Sequence, residues 1–256
     1  MIHIKSEREI ARIRESCRLT VDTFNKVDKV ICEGITTHDL DHIIEAHIRE
    51  HGGKPAFKGY KIGKNVSPFP ASSCISIESE VVHGIPNKQR KLRAGEIVSI
   101  DVGVEYNGFF GDAAKTYAIG KVDEEREQLM RVTLESLYQG IQRAVSGNRL
   151  SDISYAIQVH VESARFAIVR DLVGHGVGRK LHEDPQIPNY GNPNRGPRLK
   201  SGMVFAIEPM VNAGGAEVKT TSDGWTVVTK DGRPSAHFEH TVVVREGEAE
   251  ILTIGL

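Results

Sequence analysis

The sequence predicts an α+β fold in which antiparallel hairpins are flanked by helices. Three observations carry this. Helical periodicity and strand signals fall in separate blocks and not in a βαβ alternation. The strand blocks pair around tight turns. A fourteen-residue pattern occurs twice, so the chain reads as two related halves.

Taken in order, Ser6 to about Val30 is expected to be the first helix. Ser6 and Glu9 form a capping box, and Ile10, Ile13, Leu19, Val21 and Phe24 recur at helical spacing. Thr37 is placed to cap a second helix through Leu40, Ile43, Ile44 and Ile48, stopped at Gly52-Gly53. Its histidines, His38, His42, His47 and His51, have no carboxylate or cysteine in register and read as solvated surface. Lys54 to Ser73 is a Pro- and Gly-rich loop whose Phe57, Tyr60 and Phe69 pack under the domain or line a pocket. Cys74 to Ile77 is a short strand, and His83 follows on a turn. Glu124 to Val145 and Ser151 to Phe166, the latter capped by Ser151, are two further helices. A strand-like stretch at Phe166 to Val169 and a glycine-rich turn, GHGVGRKLHEDP, hold His175 and His182. Strand signals at Met203 to Ile207, Gly224 to Thr229, Phe238 to Val244 and Ile251 to Ile254 close the chain.

The central hairpin is Glu96 to Tyr117. Its β-branched run meets Asn107-Gly108, a dipeptide whose residues both tolerate positive φ. With that pair as the loop, Asp101 faces Ala114 and Asp112 faces Gly103, so the two carboxylates are diagonal neighbours on one face. With Tyr106-Asn107 as the loop they sit directly opposite, roughly 5 Å apart at Cβ. Two anions so close share a proton or a cation; the plain alternative is an edge hairpin with two solvated acids.

The repeat favours the cation. KLRAGEIVSIDVGV from Lys91 and RLKSGMVFAIEPMV from Arg198 match through fourteen positions, which makes Asp101 and Glu208 equivalents. An H-x-x-P lies upstream of each, at His83 and His182. A strand with an acid lies downstream of each, at Asp112 and Glu239. Chance similarity between two amphipathic strands accounts for the apolar positions but not for His, acid, acid in the same order twice. Two halves folded about a pseudo-twofold axis bring these groups to one centre. Four buried carboxylates cannot all ionise without cations. With His175 they make a dinuclear site for Mn, Fe, Co or Zn, too oxygen-rich for structural zinc and too nitrogenous for calcium. Paired metals about 3.5–4 Å apart share a nucleophilic hydroxide, and His83 and His182 would polarise a carbonyl, which points to amide or ester hydrolysis.

Composition narrows the setting. The chain of 256 residues suffices for one large domain or two small ones, and 39% hydrophobic with 26% charged residues does not favour disorder. A formal net charge of -1 provides no global basic field for DNA or RNA. One basic run, Lys88-Gln89-Arg90-Lys91-Leu92-Arg93, is either a solvated loop or a patch for an acidic partner. Cys17, Cys32 and Cys74 form no CxxC and suit a reducing, cytoplasmic compartment. No apolar run reaches the roughly 20 residues of a membrane span.

These residues resemble the type I methionine aminopeptidases in their short bacterial form, through PAFKGY, CIS, VVHGIP, IDVGV, GFFGDAAKTY, GHGVGRKLHEDP, FAIEPMV, DGWTV and FEHTVVV. The resemblance implies the pita-bread (creatinase/aminopeptidase) fold: one catalytic domain over 1–256 with pseudo-repeated halves about 1–120 and 121–256. It implies that two divalent ions sit on Asp101, Asp112, His175, Glu208 and Glu239, with Asp112 and Glu239 bridging and Glu208 also moving a proton. It gives His83 and His182 to the leaving nitrogen and the scissile carbonyl. The methionine pocket falls on Phe57, Tyr60, Phe69, Cys74, Leu181 and Trp225, where Trp225 on the residues alone reads equally well as core. The activity implied is removal of the initiator methionine from nascent chains with a small second residue, by a monomer that touches the ribosome transiently through Lys88–Arg93. Two features depart from the family. The stretch KIGKNVSP between Tyr60 and Phe69 is longer, and Glu78 replaces an Asn associated with a monovalent-cation site. An X-Pro aminopeptidase or prolidase-like enzyme, or a non-catalytic peptide-binding relative, are the alternatives; the former carry a further N-terminal domain and the latter lose ligands.

Overall fold

A computed structural model of the chain describes residues 2–63 and 66–256. The elements run α1 (Glu7–Val27), α2 (Thr37–Glu50), β1 (Lys54–Pro55), β2 (Cys74–Ile77), β3 (Glu80–Val82), β4 (Ile97–Tyr106) and β5 (Phe109–Ala118). After them come α3 (Glu124–Ile141), α4 (Leu150–Ser163), β6 (Ala167–Ile168), β7 (Val173–Gly176), β8 (Glu183–Pro188) and β9 (Val204–Ile207). The chain closes with β10 (Met210–Asn212), β11 (Val218–Thr220), β12 (Val227–Thr229), β13 (Ser235–His237), β14 (Glu239–Val243) and β15 (Glu250–Ile251).

The main sheet is antiparallel, in the order β1-β4-β5-β14-β9-β7-β8, with β2 beside β4 and β15 beside β14. Two small sheets, β13-β10-β6 and β11-β12-β3, flank it. The order is palindromic about the β5·β14 seam: β4 and β9 lie outside β5 and β14, as the sequence repeat requires of Asp101 with Glu208 and Asp112 with Glu239. On β4 and β5, Val98, Ile100, Val102 and Ala113 pack with Phe24, Leu40, Ile44 and Ile48 of α1 and α2. On β9 and β14, Phe205, Ile207 and Val242 pack with Leu129, Val132, Ile153 and Ile157 of α3 and α4. Alternation along each strand therefore turns the carboxylates to the other face. Ser16 and Cys17 of α1 lie so close to β5 that a Cβ at Gly111 would stand 2.6 Å from Cys17 N.

Several expected boundaries shift. The capping box of Ser6 and Glu9 forms as read, but α1 ends at Val27. The second helix is capped by Thr36, not Thr37: Thr36 Oγ1 accepts from Asp39 N at 3.0 Å. The fourth helix starts at Leu150 with Arg149 as N-cap, because the Ser151 hydroxyl is taken by the backbone of Arg195, donating to its O at 2.9 Å and accepting from its N at 2.6 Å. Asp152 closes that end by accepting from Arg149 N at 2.7 Å. The third helix stops at Ile141, short of Val145. His175 lies in strand β7, not in a turn, and Lys54–Pro55 forms a short strand within the expected loop. The expected lengthening near Lys61 to Pro68 falls partly on Lys64 and Asn65, outside the described residues. No described helix is long and apolar enough to cross a membrane.

Candidate metal centre and its apolar pocket

The hairpin adopts the Asn107-Gly108 loop, with φ of 52° and 77° at its two residues. Asp101 therefore pairs with Ala114 and Asp112 with Gly103, the diagonal arrangement. Ala114 also pairs with Glu239 across the seam, so Asp101 and Glu239 flank one alanine on neighbouring strands. The β14·β9 register pairs His240 with Ile207; one step further along, Glu208 faces Glu239. His175 enters from β7, where it pairs with Ala206. Its Nε2 lies 3.7 Å from Asp112 Oδ2 and 3.6 Å from Glu208 Oε1. Asp112, His175 and Glu239 present ligand atoms within 4.8 Å of one another.

These side chains are buried with too few partners. Asp101 Oδ1, Asp112 Oδ1 and Glu239 Oε1 have no hydrogen-bond partner. A buried carboxylate oxygen left this way costs free energy unless a proton or cation meets it. Burial raises the pKa of all four carboxyls; for Asp101, Glu208 and Glu239 the charge of Asp112 is the next cause. Burial pushes His175 down to about 4, so its imidazole is neutral and able to ligate. Its Nδ1 donates to Gly176 O at 2.9 Å, which leaves the Nε2 lone pair facing the carboxylates. Four oxygen donors with one nitrogen suit an intermediate divalent ion, and the orphaned oxygens fit one.

The cluster forms one wall of a cavity of about 460 Å³. Much of the remaining lining is apolar: Phe57, Phe69, Cys74 and Trp225 are buried together, with Tyr60 against them. Phe69 meets Trp225 edge-on at 5.2 Å, and Trp225 Nε1 donates to Ser67 O at 2.8 Å. Leu181 belongs to the same apolar cluster but does not line the cavity, so it supports the wall from behind. The loop that carries Phe69 is tied down by Asp41 of α2, which accepts from Ser72 N, Ser73 N and Ser73 Oγ at 2.8–2.9 Å.

His83 and His182 both line the cavity. His83 follows β3 with φ of 59°, its ring 6.2 Å from that of Trp225, and burial lowers its pKa to about 4. His182 is at the solvent-reached mouth; the protein around it and the His175 and His83 imidazoles still push its pKa down. Its Nδ1 bonds the Tyr60 hydroxyl at 2.6 Å. One neighbour had escaped the sequence reading. His237 Nε2 is buried without a hydrogen-bond partner, 3.5 Å from Glu208 Oε2. Its signal was parity, two residues before Glu239. Glu78, the other departure, accepts from Ile97 N at 2.8 Å and from the Arg126 guanidinium.

Paired halves meeting at a buried carboxylate and imidazole cluster, with an apolar pocket beside it, define a metallohydrolase of the pita-bread architecture. The model of metallopeptidase family M24 matches residues 11–246, and the chain belongs to that family. Methionine aminopeptidase 1 of Bacillus subtilis is 52% identical over 253 residues, 99% of each chain. The crystal structure of the methionine aminopeptidase of Thermotoga maritima superposes with a TM-score of 0.95 at 47% identity, covering 99% of both chains. Prolidase of Pyrococcus furiosus shares the fold, with a TM-score of 0.78 at 23% identity, and this chain covers 66% of it.

Proposed function

We propose that the protein removes the N-terminal methionine from polypeptides whose second residue is small. The observation that carries this is the junction of the two walls: an apolar cavity that ends on Asp101, Asp112, His175, Glu208 and Glu239. A thioether suits the aromatic side because it is flexible and makes favourable sulfur–ring contacts. Two divalent cations would be held there, with Asp112 and Glu239 between them, Asp101 on one and His175 with Glu208 on the other. When bound, they supply Lewis acidity and lower the pKa of the attacking water.

The chain's own groups do the rest. Glu208 takes a proton from that water and passes it to the leaving amine. Burial raises the Tyr60 pKa, so its phenol stays protonated and donates to His182 Nδ1. His182 Nε2–H then faces the scissile carbonyl as a neutral donor, and neutral His83 contacts the nitrogen side of the scissile bond. The apolar wall excludes water from the methionine side chain. A bulky second residue would clash between the two imidazoles.

Free cysteines at Cys17, Cys32 and Cys74 fit a cytoplasmic enzyme. Lys88, Lys91 and Arg93 are exposed and suit a transient contact with ribosomal RNA as nascent chains emerge. We take the enzyme to be a monomer. The test is hydrolysis of Met-Gly-Ser, Met-Leu-Ser and Gly-Pro-Ser with added Mn or Co. Release of methionine from the first alone is expected; cleavage of Gly-Pro-Ser, or tight binding of Met-Gly-Ser without turnover, overturns it.

A further inference from the structure

A second cleft, of about 590 Å³, shares His182, Glu183 and Asp184 with the site cavity. The two spaces therefore adjoin at these three residues, of which His182 and Asp184 are exposed. A peptide held in the first cavity by its first side chain can extend past the exposed His182 toward the second. The second cleft lies between the Arg179–Asp184 segment and the extended N-terminal residues His3 to Lys5.

The charges in this cleft are unequally available. Glu183 is consumed internally: it pairs with Lys5 at 2.6 Å, both side chains no more than 10% exposed, and accepts from Arg179 N at 2.8 Å. Glu9 is engaged in the capping box of α1. Arg179 projects from the rim, 67% exposed, lying over the Phe109 ring at 4.6 Å with a loose 3.4 Å contact to Glu9. Lys180 beside it is exposed and makes no ion pair with the described residues. Arg179 and Lys180 thus line a groove in which Glu183 and Glu9 are already bonded and Asp184 is not without a partner of its own.

Building on the aminopeptidase reading, we propose that this cleft binds the fourth and fifth residues of the substrate, and that Arg179 and Lys180 favour carboxylate side chains there over basic ones. An extended peptide also offers backbone carbonyls to both side chains. Each exposed charge pair changes kcat/KM by about two- to fivefold, the range of solvent-screened ion pairs.

The experiment compares Met-Gly-Ser with Met-Gly-Ser-Asp-Asp, Met-Gly-Ser-Gly-Gly and Met-Gly-Ser-Lys-Lys, all with amidated C-termini, on the metal-loaded full-length protein. The expected order among the pentapeptides is Asp-Asp, Gly-Gly, Lys-Lys, carried mainly in KM and flattened by salt. In R179E/K180E the order reverses while Met-Gly-Ser is cleaved as before; R179A/K180A flattens it. An order indifferent to both variants overturns the subsite. Variants that lower the tripeptide rate equally also overturn it, because the residues then act on the site as a whole. Failure of the unaltered protein to cleave the tripeptide counts against the aminopeptidase reading instead.

Discussion

Asp112→Asn separates what the carboxylate cluster does without metal from what it does with metal. Asp112 and Glu239 bring oxygens within 4.8 Å of each other. Two full charges at about 4.8 Å repel by roughly 3.5 kcal/mol at an effective dielectric constant of about 20. Burial, and then the Asp112 charge, hold the Asp101, Glu208 and Glu239 carboxyls above their ordinary range. A carboxyl whose pKa is higher folded than unfolded stabilises the fold below its unfolded value, and that contribution is lost as pH rises through the folded value. The metal-free protein is therefore expected to be strongest in mild acid and to weaken toward alkaline pH. The Asn variant keeps the shape, removes one charge and lets its neighbours ionise at less cost. In chelator near pH 8, urea unfolding should find it more stable than the unaltered protein by roughly 1–3 kcal/mol, since proton uptake already relieves part of the repulsion. For a chain of this size that is about 2–10 °C in Tm. Near pH 5 the gap should close. With Mn at about a hundred times Kd, the unaltered protein gains about 2.7 kcal/mol, the variant gains little, and Met-Gly-Ser turnover by the variant is lost. A metal-free variant no more stable than its parent near pH 8 would refute the crowding argument; retained turnover would refute the bridging role.

Two further expectations follow from close contacts. Gly111→Ala drives a Cβ to 2.6 Å from the α1 backbone at Cys17; overpacking against backbone costs about 1–3 kcal/mol, readable in urea as a shifted midpoint, and an unchanged midpoint would mean that α1 can slide. His237→Ala should weaken metal binding about 10- to 100-fold by calorimetry, the usual cost of losing a group that orients a ligand, while His237→Gln, which keeps a polar group beside Glu208, should restore most of it. Equal affinity in both variants would leave His237 without that role.

How much of this was legible depended on whether local chemistry decided the outcome. Asn107-Gly108 dictates its own turn, and alternation then places Asp101 and Asp112 without help from the rest of the chain. The repeat carried Glu208 and Glu239 to the same centre. Tertiary partners decided the misread elements. Gly174-His175-Gly176 has no intrinsic strand preference and becomes strand only between β8 and β9. Ser151 is a good cap by type, but its hydroxyl is captured by Arg195. His237 was hidden by the same repeat that revealed the acids: its counterpart in the first half, two residues before Asp112, is Phe110, so symmetry marked the position as apolar. The apolar wall was legible as a group of aromatics, though not the inward shift that puts Leu181 behind it.

The location of the cluster also has a physical logic. β14 meets β5 through the pairs Glu239 with Ala114 and His240 with Ala113, a short seam for strands of five and ten residues. Thr241 reinforces it, its Oγ1 accepting from Asp112 N at 3.2 Å and donating to Asp112 O at 2.7 Å. Beyond these bonds, the groups facing across the seam are acids: Asp101 and Asp112 from one side, Glu208 and Glu239 from the other. Their repulsion acts to part the strands where the backbone ties are few. A shared cation converts the same four charges into attraction across that line. Occupancy of the site and closure of the seam are then linked equilibria. The acids whose repulsion weakens the metal-free seam are the ones that would hold a divalent ion, so the two effects would have a common origin.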